Sequence, residues 1–134
     1  MTTNYEYILR EEVYKDACST AMMAAKLNVK DTQITNLLML YESVGDPRES
    51  VKLLVVHVWR QAARKIIRPE LCKMISDILN KYFNQIKDDA TLDIVVKKYL
   101  SLLRWMFEVF IRFRENLPRV PACKDFQDFL KYLS

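Results

Sequence analysis

Glycine is nearly absent from this chain, with Gly45 the single one in 134 residues. Tight β-turns draw on glycine for their positive-φ positions, so a sheet protein is a poor fit and the connections should be helix–helix links. One glycine is also too few for a phosphate-cradling loop, and none flanks a serine or cysteine as a nucleophile elbow requires. Histidine is as scarce: His57 stands alone, without a Cys or His partner at helical spacing. A zinc site needs about four ligands, so neither metal nor cofactor is expected, and His57 reads as a surface or interface residue. The cysteines are few and scattered, Cys18, Cys72 and Cys123. An odd count without paired spacing argues against a disulfide framework. The three are expected to be small buried hydrophobes in a protein of a reducing compartment.

Long apolar runs are missing as well. Even the stretch from Tyr99 to Phe113 carries Arg104, Glu108 and Arg112, whereas a membrane span needs about 20 apolar residues in succession. The opening Met1-Thr2-Thr3-Asn4-Tyr5-Glu6 has no basic or apolar region of a secretory leader. The expectation is a cytoplasmic protein with no membrane partner. Hydrophobic residues make up 51% of the chain, enough for a core without staples. Lysine and arginine exceed aspartate and glutamate by 21 to 17, a net charge of +4. So mild an excess permits a polyanionic partner without requiring one.

The pattern within the chain is helix after helix. Gly45-Asp46-Pro47-Arg48-Glu49 ends one helix and caps the next, with Pro47 in the first position and Glu49 completing a capping box. Lys30-Asp31-Thr32 and Lys87-Asp88-Asp89-Ala90-Thr91 offer further caps, and the acidic pairs Glu11-Glu12 and Asp88-Asp89 suit helix starts. Pro69 marks a boundary. Leu71, Met74, Ile75, Ile78, Leu79 and Tyr82 follow the i, i+3, i+4, i+7 rule, as do Leu92, Val95, Val96, Tyr99, Leu102, Leu103 and Met106. Helices are predicted over about 5–27, 32–43, 47–67, 69–86, 90–116 and 122–133. The fold class is all-α, a single-domain bundle of about five to six helices over residues 1–134, with 118–121 a short proline-containing link. Leu37, Leu54, Val58, Ile75, Ile78, Val95, Leu102 and Met106 should form the core.

Basic residues gather in two places. From Val51 to Pro69 there is no acidic residue. Within that stretch Arg60, Arg64 and Arg68 recur at i, i+4, i+8 and should share one helical ridge, with His57, Gln61 and Lys65 on the next. Like charges at this spacing cost roughly 0.2–0.5 kcal/mol per pair. Donors without acidic neighbours suit a phosphate backbone, and Lys52 belongs to the same helix. The second set, Lys97, Lys98, Arg104, Arg112 and Arg114, lies among Tyr99, Trp105, Phe107, Phe110 and Phe113. Lys97 and Arg104, seven apart, should fall on one side. The aromatics are expected in the core or a subunit contact rather than stacked on bases.

The segments Thr32–Leu38, Val58–Arg64 and Asp88–Leu103, in that order, resemble the small helical subunit of type III-A CRISPR (Csm) effector complexes. Thr32-Gln33-Ile34-Thr35-Asn36-Leu37-Leu38 is similar to the family's Ser-Lys-Ile/Leu-Arg-Asn-Leu helix. Val58-Trp59-Arg60-Gln61-Ala62-Ala63-Arg64 looks like its Tyr-x-Ala-Gly-Arg segment. Asp88-Asp89-Ala90-Thr91-Leu92, leading into Tyr99-Leu100-Ser101-Leu102-Leu103, resembles its last, aromatic-rich helix. The likeness spans about residues 30–114. Thr35 replaces the family arginine of the first segment, Gln33 its lysine and Ala63 the glycine before Arg64, and the terminal Tyr-Gly-Gly is missing. Arg64 keeps a family basic position. The resemblance implies a non-catalytic subunit that touches target RNA or the crRNA–target duplex through phosphates. It would pack against copies of itself and the backbone and large subunits. The sites expected to bind RNA are Arg60, Arg64, Lys65, Arg68, Lys52, Lys97 and Arg104. A helical protein–protein adaptor with no nucleic-acid role is the competing expectation.

Overall fold

The structure, a computed structural model, describes residues 7–118 and 123–133. Among the described residues there are six α-helices and no strand. A π-helical turn, Ile8–Glu12, leads into α1, Val13–Lys26; α2 is Asp31–Val44, α3 Pro47–Ala63, α4 Pro69–Gln85, α5 Asp89–Arg112 and α6 Phe126–Lys131. A 3₁₀ turn, Arg114–Asn116, follows α5. The helical bundle is therefore as expected. Residues 119–121 of the proposed 118–121 link lie outside the described residues, as do positions 5–6 of the first predicted helix.

The long helix α5 is the axis of the bundle. Leu92, Val95, Val96, Tyr99, Leu100, Leu103, Met106, Phe107 and Phe110 are buried along it, an apolar stripe wide enough to serve several neighbours. Its most extensive partner is α1, which offers the small side chains Ala17, Ala21, Ala24 and Ala25, all buried. α4 contributes Leu71, Ile75, Ile78, Leu79 and Tyr82. Of the expected core residues, Leu37, Leu54, Val58, Ile75, Ile78, Val95 and Met106 are buried. Leu102 is only partly so, because the stripe turns past it and Leu103 takes the inner position.

Polar bonds fix how these helices sit. Asp16, 7% exposed, accepts from the Tyr82 hydroxyl at 2.6 Å and the Lys81 ammonium at 2.7 Å. Lys81 also meets Glu12 at 3.1 Å. Burial disfavours the lysine's charge, but the hydrogen bonds and charges of Asp16 and Glu12 outweigh it and hold its pKa above the usual value. Glu12 thus ties α1 to α4 from within the π turn rather than capping a helix. The Thr20 hydroxyl meets Tyr99 at 2.9 Å. Arg48 donates to Asp89 and to the Phe83 and Ile86 carbonyls, tying the start of α3 to the turn between α4 and α5.

Several local signals appear as expected. Gly45 has φ 93° at the end of α2, Asp46 accepts from the Glu49 amide, and Asp88 accepts from the Thr91 amide at 2.9 Å. The cap at Lys30-Asp31-Thr32 differs: Lys30 holds the capping position and its side chain makes no capping bond.

The cysteine expectation is corrected. Cys18 and Cys123 are joined by a disulfide, with Cα atoms 6.1 Å apart, and only Cys72 is free. Folding brings together two thiols that are 105 positions apart, a distance that conceals the pair from any spacing rule. Cysteine usage therefore no longer argues for a reducing compartment. Among the described residues no helix is long and apolar enough to cross a membrane.

Candidate nucleic-acid interface

The end of α3 is built differently from the expected continuous helix over 47–67. The last helical residue is Ala63, Arg64 is the C-cap, and Lys65 turns left-handed with φ 62°. The Lys65 amide bonds to the Ala62 carbonyl and the Ile66 amide to the Gln61 carbonyl, each at 2.9 Å. This is the paired bonding of a Schellman end, with lysine where glycine is usual. The same arrangement ends α1, where Asn28, at φ 57°, and Val29 bond back to Ala25 and Ala24. The reversal buries Ile67 and sends the chain into α4, which Pro69 begins.

The predicted Arg60–Arg64–Arg68 ridge is therefore not formed. Arg60 stands on α3, Arg64 on its cap, and Arg68 is the N-cap of α4, where its guanidinium pairs with Glu70 at 3.0 Å. Arg60, Arg64 and Lys65 remain exposed; the salt bridges formed among the described residues involve other cations. Three cations thus crowd one helix end. That end is also where the helix dipole is negative, so it stabilises them in the absence of a carboxylate.

Hydrogen bonds anchor this end to its neighbours. Gln61, buried, donates to Gln33 of α2 at 2.9 Å. The Cys72 thiol of α4 donates to the Val58 carbonyl at 3.1 Å, and burial raises that thiol's pKa. His57 is half-buried, with its Nε2 enclosed and without a hydrogen-bond partner among the described residues. Burial, and then the charge of Arg60, lowers its pKa.

The outer face of α3 carries Glu49, Lys52, Leu53, Val56, Trp59, Arg60 and Ala63, all exposed. Helical spacing places them on one side. Lys52, like the cations at the end, makes no ion pair among the described residues. Glu49 is the acid on this face, about 16 Å along the axis from Arg60 at 1.5 Å per residue. Beside this face, between α3 and α4, a hollow of 260 Å³ is lined by Val51, Lys52, Val55, Asn80 and Phe83.

The second basic set does not join the first. Lys97 pairs with Asp93 at 3.1 Å and Arg104 with Glu108 at 3.5 Å, each with an acid one turn away on α5. Lys98 donates to the Leu9 carbonyl and lies over the Tyr14 ring. Arg114 donates to the Ala25 carbonyl at the end of α1. Of the aromatics on this stretch, Tyr99, Phe107 and Phe110 are buried, but Trp105 is 60% exposed.

Among the described residues no cluster of side chains could hold a metal ion. No family model, curated protein or solved structure matches this chain.

Proposed function

We propose that this chain is a non-catalytic, RNA-binding small subunit of a type III CRISPR effector complex, holding RNA through backbone phosphates at the end of α3. The observation that carries the reading is the group Arg60, Arg64 and Lys65: exposed, free of carboxylates, and presented on a helix end anchored by buried bonds. Such a group matches a phosphate chain in charge and offers no base-specific geometry. The resemblance of residues 30–114 to the Csm small subunit supports the same reading, since Arg64 occupies the basic position shared with that family. Exposed Ile94 and Trp105 on α5 suit packing against copies of itself or the other subunits of the complex. Arg68, Lys97 and Arg104, already paired, contribute little.

RNA affinity measured across a salt series tests this. The triple variant Arg60→Ala/Arg64→Ala/Lys65→Ala should bind more weakly, with a salt slope lower by about 2, at roughly 0.7 per lost contact on a single strand. The variant Arg68→Ala should stay close to the parent. An unchanged slope in the triple variant would overturn the proposal.

A further inference from the structure

The basic group at the end of α3 does not account for the apolar residues beside it. Trp59 is 40% exposed although it directly precedes Arg60. It stands one turn from Val55 on the same side of the helix, so it follows the α3–α4 hollow along the axis. The hollow has room, at 260 Å³, for one planar ring system with its mouth open to solvent. Its wall is preset: the Phe83 ring is packed under the Arg48 guanidinium at 4.9 Å, and Arg48 is itself held by Asp89 and two carbonyls. The Asn80 carboxamide at the rim is exposed and makes no hydrogen bond among the described residues, leaving a donor and an acceptor for the edge of a base. Lys52 lines the same hollow and brings a positive charge to it.

A duplex hides the faces of its bases and offers such a surface only phosphates. An unpaired strand offers both, and stacking on an aromatic residue is worth about tenfold in affinity per base. From this geometry we infer that the α3 face takes single-stranded RNA in preference to duplex. One unpaired base enters the hollow against Phe83 and Val55 with its edge on Asn80, and a neighbouring base lies on Trp59. The phosphates follow Lys52, Arg60 and Arg64. The charge of the face selects this occupant: its cations are unpaired, and its acid, Glu49, sits at the far end. This assignment rests on the RNA-binding reading above and names the form of RNA bound.

The test compares a short polyuridine strand with the same strand annealed to polyadenosine, using the intact chain. The parent should prefer the single strand. The variant Trp59→Ala/Asn80→Ala should lose about tenfold or more on the single strand. Its duplex affinity and salt slope should not change, and Trp59→Phe should recover part of the loss. By contrast, Arg60→Ala/Arg64→Ala should weaken both forms and lower both slopes. In a Trp105→Phe background, fluorescence from Trp59 should be quenched by the strand and much less by the duplex. A duplex preference in the parent, or an unchanged ratio in Trp59→Ala/Asn80→Ala, would overturn the inference and leave the phosphate-binding proposal standing. Absence of binding to either RNA at low salt would overturn both. Binding to polyglutamate as tightly as to either RNA would also overturn the inference and assign the face to an acidic protein segment.

Discussion

Reduction of the Cys18–Cys123 bond should lower the melting temperature by about 10 °C. The bond joins positions 105 apart, and the chain-entropy relation for a loop of this length gives about 4.7 kcal/mol of constraint on the unfolded chain. The folded side recovers part of that on reduction. α6 has no buried residue; ring contacts such as Phe126 with Tyr14 and Phe129 with Phe110 hold it in place. Freed from α1, the segment gains motion in the folded protein too, which brings the expected loss to about 2–4 kcal/mol. In a chain of this size each kcal/mol moves the transition by about 3–5 °C. Thermal unfolding by circular dichroism, with and without reductant, measures the shift, and Cys123→Ala without reductant should reproduce the reduced parent. Thiol titration of the unfolded, unreduced protein should count one thiol, that of Cys72. Three reactive thiols in that titration, or a reductant-independent transition in a chain shown to carry the bond, would refute the reasoning.

Two further outcomes follow from the interior. Asp16→Ala removes the acceptor shared by Lys81 and Tyr82, leaving the buried Tyr82 hydroxyl without that partner and Lys81 partly enclosed. Because Glu12 and solvent still reach the 28%-exposed lysine side chain, urea unfolding should show a loss of about 2–3 kcal/mol, short of a fully buried pair. On α5, Leu103→Ala should cost about 3–5 kcal/mol by the same measurement, and Leu102→Ala clearly less; equal losses would mean that the two leucines are buried alike, against this register of the helix.

The parts of the fold that depend on neighbours in the chain were legible in the sequence. Gly45 and Pro47 marked the break between α2 and α3, Asp88 the cap of α5, and the apolar spacing from Leu92 to Met106 the axial helix, because these features act over one or two turns. The Cys18–Cys123 pair was hidden, since only the tertiary path makes the two thiols neighbours. The end of α3 misled for a related reason. A run without glycine from Val51 to Pro69 gives no sign of a left-handed residue, and periodicity extended through Lys65 unhindered. The basic site was therefore half visible: the acid-free stretch drew attention to Arg60 and Arg64, but the supposed ridge gave Arg68 a place that the turn denies it. Lys97 and Arg104 looked like one basic side because the spacing of cations was read without Asp93 and Glu108, each one turn away. Trp59 carries no signal of its own in the sequence, because its exposure depends on how α4 lies against α3.

Lys65 sets two properties of the molecule against each other at one residue. A side chain at φ 62° carries a steric penalty of about 1 kcal/mol or more that glycine would escape. Lys65→Gly would thus make the bundle harder to unfold, and it would also remove a charge from the end of α3. An effort to harden this protein by relieving backbone strain would reach this position early. If the binding proposal holds, the gain in robustness would appear as a weakened hold on RNA, and a screen that scores heat resistance alone would select it.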